Sequence, residues 1–549
     1  MDAVSGYGDD CAMRPRSVTC CAVLLIVAAH DALAQRTLPG WTRGAVCYEI
    51  FVRSFFDSDG DGIGDFNGLT QKLDHINDGN PSTQRDLGAR CVWLMPIMAS
   101  PSYHGYDATD YYRVNPQYGT NDDFKRFIAE AHRRGIRVLI DMVLNHASSE
   151  HPYFKEALLH PASPFRDWFV FAPTAQGQGP WGNVAWHKNP YRDEYYYGVF
   201  WHGMPDLNYA HAPVREEAKK VATFWLREMG VDGFRLDAIP YLVEEGGRLA
   251  GTPATHAFFR EYGAHVRSVA PESFTVGEVW DSVGAMLPYY PDQLDGHFAF
   301  ELSNAIMNAV RAGNATGMFA GYLRLQAALP SERWSPFLRN HDQTRTATEF
   351  RGNVARQKLA ATLLLTLPGL PFVYYGEEIG MTGDKPDPRI RTPMHWSTGR
   401  AAGFTTGQPW EPLQPDSNTI TVAAQDGDPG SLLNVFRRLI HLRAAKPALA
   451  SGTLVPMQTT DTSVAAYLRT DGERPILVVA NLGDSPRAGV RISTAASGLR
   501  PGRYVGTDLL RRGAGSAVSI ARNGTLSAFV PVPTLAPLEA YVFELTVAR

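Results

Sequence analysis

The chain has no marked excess of charge of either sign: 52 Lys and Arg stand against 56 Asp and Glu in 549 residues, with no basic patch and no long like-charge run. Nucleic acid and anionic membrane surfaces are thereby poor partners, because both are recognised through concentrated positive charge. Membrane-length apolar runs are also missing. The run over residues 18–29 is too short to span a bilayer, so no membrane anchor is expected. Arg14 and Arg16 precede that run, and Ala32-Leu33-Ala34 follows it as an A-x-A cleavage pattern ahead of Gln35. Residues 1–34 therefore read as a signal peptide and the chain as secreted or periplasmic, with Met13 a second candidate start. Cysteine is scarce, at five residues. Cys20 and Cys21 lie at the front of the apolar run rather than its end, which argues against a lipid-anchored cysteine. Cleavage leaves Cys47 and Cys91, both in apolar strand-like runs. Two buried thiols are the default expectation and a disulfide between them the alternative.

What is present is length, aromatic side chains and a recurring strand pattern. A chain of this length suits a large barrel with accessory parts. Aromatics make up 11%, with 11 Trp and 23 Tyr, which suits stacking on sugar rings, although a large core also uses many of them. Short apolar runs bounded by Gly, Pro and Asp recur as AVCYEIFV (45–52), CVWLMP (91–96), IRVLIDMV (136–143), GFRLDA (233–238), FTVGEVW (274–280), LDGHFAF (294–300), SPFLRNHD (335–342) and PFVYYGEE (371–378). Continuous rather than alternating hydrophobicity means strands covered on both faces. Between the second and third runs, Asp122, Asp123, Phe124, Phe127, Ile128 and Ala131 space out as an acidic-capped helix stopped at Gly135. Eight parallel strands alternating with helices predict an α/β fold, a TIM (β/α)8 barrel. Two stretches break the rhythm. Residues 146–206, rich in Trp, Tyr, Pro, His and Gly without helical period, read as a loop-rich domain inserted after the third strand. Residues 450–549 carry short alternating runs such as VAAYL and PILVVANL and read as a C-terminal antiparallel β-sandwich. The barrel then occupies 35–145 and 207–449.

Barrels of this kind carry their chemistry at the C-terminal ends of the strands. The fourth run ends in Asp237, the fifth in Glu278 and the seventh in His341-Asp342, so three carboxylates would converge on one mouth. A retaining glycosidase needs two carboxyls about 5 to 5.5 Å apart, one attacking the anomeric carbon and one protonating the leaving oxygen. A third, ionised carboxylate steadies the oxocarbenium-like transition state. For any one of them alone, the alternative is an N-cap on the following helix. Arg235 and Asp237 alternate on one strand and share a face, so the guanidinium can hold Asp237 ionised, whereas Glu278 must keep its proton until the bond breaks. Upstream, DSDGDGIGD (57–65) offers Asp57, Asp59, Asp61, the Ile63 carbonyl and Asp65 at the alternating positions of a calcium loop, with Gly62 at the turn. Position 12 is Gly68 rather than Glu, so this is a hard-cation loop without being an EF-hand; an acidic surface turn is the alternative.

The motifs DMVLNH (141–146), MPDLN (204–208), GFRLDAIPY (233–241), GEVW (277–280) and FLRNHD (337–342) resemble, in order and spacing, those of the α-amylase family of glycoside hydrolases, family 13. The likeness runs from about residue 41 to the C-terminus. It implies Asp237 as nucleophile, Glu278 as general acid/base and Asp342 as transition-state stabiliser, with Arg235, His146 and His341 around the sugar at subsite −1. Tyr106 and Asp107, in HGYDATDYY (104–112), match segments whose Tyr ring meets that sugar and whose Asp lies near non-reducing-end hydroxyls; His104 has the same dual reading as a rim or sugar contact. The loop at 57–65 is implied to hold a structural Ca2+ through Asp57, Asp59, Asp61, Ile63 and Asp65. For a further calcium known in the family, Asn145 and Asp206 match, but Tyr241 stands where that site has His.

Within the family, DAIPY (237–241) looks like α-1,4-glucosidases and trehalose synthases. The remaining motifs, with KPDPRIRTPMHW (385–396) and AGFTTGQPW (402–410), resemble a subgroup intermediate between oligo-1,6-glucosidase and neopullulanase. Ala238, where 1,6-specific relatives tend to carry Val, favours α-1,4 bonds. The expected function is a retaining α-1,4-glucan hydrolase acting on starch and malto-oligosaccharides as a monomer. An exo-acting α-glucosidase, with Asp107 and Arg389 or Arg391 gripping a chain end, and a trehalose synthase are the rivals. A non-catalytic binding homologue is disfavoured because all three carboxylates stand.

Overall fold

Eight short parallel strands form at the eight apolar runs in this computed structural model, which describes residues 36–511 and 513–548; the seventh is displaced, strand covering Trp334–Ser335 rather than 335–342, and the expected leader, residues 1–34, lies outside the described residues. The strands are β1 (Cys47–Ile50), β2 (Cys91–Leu94), β3 (Arg137–Met142), β4 (Gly233–Leu236), β5 (Phe274–Gly277), β6 (Gly296–Phe298), β7 (Trp334–Ser335) and β8 (Phe372–Tyr374). They pair in the order β7-β6-β5-β4-β3-β2-β1-β8. The ring closes where the Leu370 amide donates to the Trp334 carbonyl (2.7 Å) and the Phe372 amide to that of Pro336 (2.9 Å). Alternation explains why the runs are apolar throughout. Cys47, Trp93, Leu139, Phe274, Phe298 and Phe372 point inward and plug the barrel, while Tyr48, Ile50, Val92, Leu94, Val138 and Ile140 point outward under the helices. One layer above the plug the inward positions turn polar: Glu49, Asp141 and Arg235 are all buried.

Cys47 and Cys91 form a disulfide, which corrects the expectation of two free thiols. They are direct partners in the β1–β2 register, both inward, with Cα atoms 4.3 Å apart. The helix after β2, Asn121–Arg133 (α1), is capped by Thr120 in a reciprocal box with Asp123, and Phe124, Phe127, Ile128 and Ala131 are its buried stripe. In the excursion after β3, a helix forms where no helical period is visible. This helix, Pro152–Leu159 (α2), has Pro at its start and His151 as cap, and buries Phe154 and Ala157. Two turns are too few to establish a period. Tyr196, in a small three-stranded antiparallel sheet of the same excursion, packs on Phe154 with ring centroids 5.0 Å apart.

The C-terminal region is antiparallel, with a six-stranded sheet beside smaller ones. Its central strands, Val464–Thr470 and Ile476–Asn481, are buried on both faces. Ala465, Tyr467, Val478 and Ala480 join the core under the barrel helices, whereas Val464, Ala466, Leu468, Leu477 and Val479 fill a second core. Arg469 reaches across this contact and donates to the carbonyls of Thr366 (2.5 Å), Leu449 (3.0 Å) and Gly452 (2.9 Å). Arg469→Met leaves three dry carbonyls without donors, and calorimetric unfolding is expected to register a loss of about 2 to 4 kcal/mol. A loss below about 0.5 kcal/mol would contradict this role. Among the described residues no helix is long and apolar enough to cross a membrane.

Candidate active site

Arg235 organises the mouth of the barrel. Only 1% exposed, it sits below the cleft on β4, and a guanidinium presents several donors in one plane. Nη1 donates to Asp141 Oδ1 (2.9 Å) and Oδ2 (3.0 Å) and to Asp237 Oδ1 (2.5 Å), while Nη2 lies 2.9 Å from Glu278 Oε2. Its carbon stands 5.1 Å from the centroid of the Trp93 ring, the top of the apolar plug. Three strand ends, β3, β4 and β5, thus deliver carboxylates to one cation. Between Asp237 and the next short turn, Ala238 takes a left-handed backbone (φ 45°) that aims its amide at Glu278 Oε2, 3.1 Å away.

Opposite stands Asp342. Its Oδ1 accepts from Arg391 (2.8 Å) and its Oδ2 lies 3.0 Å from His341 Nε2. His341 Nδ1 is 2.5 Å from Glu49 Oε1, and its Nε2 is also 2.5 Å from the Tyr106 hydroxyl, which donates to Asp141 Oδ2 at 3.2 Å. The Tyr106 ring stacks on the imidazole at 5.8 Å and 18°.

These contacts separate the carboxyls electrostatically. Burial raises Glu278, Arg235 opposes it, and the charges of Asp237 and Asp342 raise it further, so it holds its proton above the ordinary range. Burial also works against ionising Asp342, but His341 and Arg391 outweigh it and keep this carboxylate far below its usual range. Burial disfavours His341 as a cation, yet Asp342 and Glu49 lift it to about 9. Burial pulls His146 down to about 4, so that ring is neutral at neutral pH.

Asp237, Glu278, Asp342, Tyr106 and His146 line a cleft of about 870 Å³, with His104, Trp181, Phe200, Trp201, Tyr241, Trp280, Asp387 and Arg391 in its walls. Trp181, Trp201 and Trp280 expose about half of their surface. Arg235 and His341 lie beneath this floor. Asp107 does not join them: it is buried behind the wall, accepting from Ser100 Oγ (2.8 Å), Ser102 Oγ and Ser148 Oγ (3.5 Å). Neither arginine grips it. Arg391 is paired with Asp342 and Asp387, and Arg389 is exposed. Glu49 and Asp141 also belong to the site, through His341 and Arg235, although no sequence expectation assigns them a role. A lone acid inside the apolar run AVCYEIFV was the available signal for the first.

In the acidic loop, Asp57, Asp59 and Asp61 place ligand oxygens within 4.8 Å of one another. Asp57 is buried and accepts from the amides of Asp59 (3.0 Å), Gly60 (2.7 Å) and Gly62 (2.7 Å) and from Thr405. Burial raises Asp61, as do the charges of Asp59, Asp57 and Asp65. Gathered like charges on oxygen donors fit a hard divalent cation. Asp65 lies beside this group and caps the helix Phe66–Gln71, accepting from Gly68 N (2.8 Å) and from Ser58 N and Oγ (2.7 and 2.8 Å). At the positions matching a further ion, Asn145 Nδ2 donates to the Tyr241 carbonyl (2.5 Å) and Asp206 Oδ1 accepts from Val199 N (3.0 Å).

Residues 49–452 match the family model described as alpha amylase, catalytic domain. Alpha-amylase 3 of Dictyoglomus thermophilum is 39% identical over 447 residues, covering 80% of this chain and 85% of that protein. Trehalose synthase/amylase TreS of Mycolicibacterium smegmatis is 35% identical, covering 80% of this chain and 83% of its own length. Among solved structures, the alpha-amylase from H.orenii superposes with a TM-score of 0.78 at 38% identity, covering 91% of this chain and 99% of that one. On these matches, together with the closed parallel barrel and its carboxylate-lined mouth, the chain belongs to the α-amylase family of glycoside hydrolases and is an enzyme acting on glycosyl bonds.

Proposed function

We propose that the protein is a retaining α-1,4-glucan hydrolase of the α-amylase type, acting on starch and malto-oligosaccharides. The observation that carries this reading is the sharing of one buried guanidinium by Asp237 and Glu278, on its two terminal nitrogens. Adjacent anchor points hold the two carboxyls close, as double displacement requires, rather than at the wider spacing that leaves room for an inverting water. Asp237 attacks the anomeric carbon while Glu278 gives its proton to the departing glycosidic oxygen, leaving a glycosyl ester on Asp237. Glu278, now a carboxylate, takes a proton from water, which attacks the same carbon and releases the sugar with its configuration retained. Asp342, kept ionised by His341 and Arg391, faces the positive charge that builds on the ring.

Two observations favour internal cleavage over a chain-end pocket. The cleft has exposed indoles in its walls, and among the described residues neither Arg389 nor Arg391 closes on Asp107. Digestion of reducing-end-labelled maltoheptaose decides the matter. Early labelled fragments of intermediate length are the expected products. Stepwise glucose release from the unlabelled end would instead make the protein an exo-acting α-glucosidase, and conversion of maltose to trehalose would make it a trehalose synthase, the activity named for one relative.

The cluster of Asp57, Asp59 and Asp61 is read as a structural calcium site, where the ion would neutralise the gathered charge and stiffen the loop between β1 and the helix that Asp65 caps. Chelation is expected to lower the unfolding midpoint by roughly 5 °C or more, and Asp57→Ala to remove that response. A midpoint indifferent to both calcium and chelator would count against the site. Export to an oxidising compartment agrees with the Cys47–Cys91 disulfide and is tested by finding the mature chain, beginning at Gln35, outside the cytoplasm.

A further inference from the structure

Glu49 is the one charged residue of β1, and the reaction proposed above gives it no task. Alternation sends Cys47 and Glu49 inward; Cys47 belongs to the apolar plug, and Glu49, one layer higher, is 1% exposed. Its Oε1 meets His341 Nδ1 at 2.5 Å. The far ring nitrogen faces Asp342 Oδ2 at 3.0 Å and the Tyr106 hydroxyl at 2.5 Å. Trp93 packs edge-on against the imidazole (5.5 Å, 75°) and Tyr106 lies flat on it, so the ring has little room to turn. With a carboxylate at either nitrogen, both must be donors, a demand that only the doubly protonated ring meets.

We propose that Glu49 is a positioning residue for glycoside cleavage: it anchors His341 through Nδ1, so that the Nε2 proton is presented to Asp342 and Tyr106 and holds both against the sugar ring. The inference rests on Asp342 being the transition-state stabiliser. A carboxylate behind a functional imidazole fixes which nitrogen carries the proton, and its loss alters the ring's chemistry more than its place. The titratable groups facing His341 are Asp342 beside it, Glu49 from β1, Asp141 from β3, which burial raises to about 7, and the neutral Tyr106 hydroxyl from the segment after β2. Tyr374 on β8 faces Glu49, and Arg235 and Arg391 are the opposing cations beyond Asp342. The acids prevail, as the elevation of His341 to about 9 reflects.

Glu49→Gln preserves shape and removes charge. The assay uses 2,4-dinitrophenyl α-glucoside, whose leaving group needs no proton, so that the ionisation of Glu278 drops out of the bond-breaking step. At neutral pH the variant is expected to lose at least about tenfold in kcat with KM within about twofold, and its alkaline limb to move at least about one pH unit below that of the wild type. An unchanged limb and kcat would overturn the proposal. Histidine-labelled wild-type enzyme gives a second readout that depends on neither turnover nor the folding of the variant. The nitrogen resonances of His341, identified by their loss in His341→Gln, are expected to remain those of the doubly protonated ring through about pH 8. A neutral ring at pH 7.5 in the wild type overturns the proposal. Absence of any α-glucoside cleavage by the wild type would instead sink the reading of the site, while the titration still judges Glu49 by itself.

Discussion

Replacing Asp237 with Asn abolishes turnover. The amide keeps the shape of the side chain and still accepts from Arg235 Nη1, but it cannot form the glycosyl ester, and no other carboxylate takes its place. Asp141 is fully buried beneath Arg235, and Asp342 is held by His341 and Arg391. A fall in kcat on the order of 10^5-fold is expected, since removal of a nucleophile leaves only the contributions of binding and field. Substrate affinity changes little, because the aromatic walls and Tyr106 are untouched; calorimetric titration with maltoheptaose checks this. Hydrolysis within about tenfold of the wild type would place the nucleophile elsewhere.

Glu278→Gln produces a different loss. The general acid matters in proportion to how badly the leaving group needs a proton, so maltoheptaose hydrolysis is expected to fall about 10^3- to 10^4-fold. Ester formation from a dinitrophenyl glucoside is largely spared and the intermediate accumulates, because its hydrolysis lacks a base. The pH dependence carries a sign. Glu278 is raised above the ordinary carboxyl range, chiefly by burial, and acts as an acid while protonated. Wild-type kcat/KM for a natural glucan therefore declines as pH rises through the elevated pKa of Glu278. The variant has no proton to lose there, and this decline disappears. A variant that keeps it would assign the limb to another group.

Both expectations rest on residues that stand out in the sequence. Asp237 and Glu278 are legible because each follows a run that becomes a strand covered on both faces, and strand ends of a barrel converge; Asp342 lies further out, beyond a strand that ends at Ser335. The family motifs then order them. Pairing between distant strands is less legible. The runs containing Cys47 and Cys91 are visible, but that the two thiols lie opposite depends on the β1–β2 register, which a continuous apolar pattern does not specify. Helix α2 escapes because two turns with two buried residues show no period. The spacing of the acidic loop does not show that Asp65 also caps the helix beginning at the next residue. Asp107 and Glu49 are the complementary pair. The first sits in a familiar motif but is held by serines behind the cleft wall, and the second, in no motif, touches the imidazole that touches Asp342.

Central to this account is the covalent glycosyl-aspartate, and trapping tests it most directly. Incubation with a 5-fluoro-α-glucosyl fluoride, which slows hydrolysis of the ester more than its formation, is followed by peptic digestion and mass spectrometry. The account predicts a single glycosylated peptide carrying the sugar on Asp237, with no adduct in Asp237→Asn. Time-dependent labelling at any other carboxylate, or turnover of α-glucosides with inverted configuration and no adduct, would contradict it.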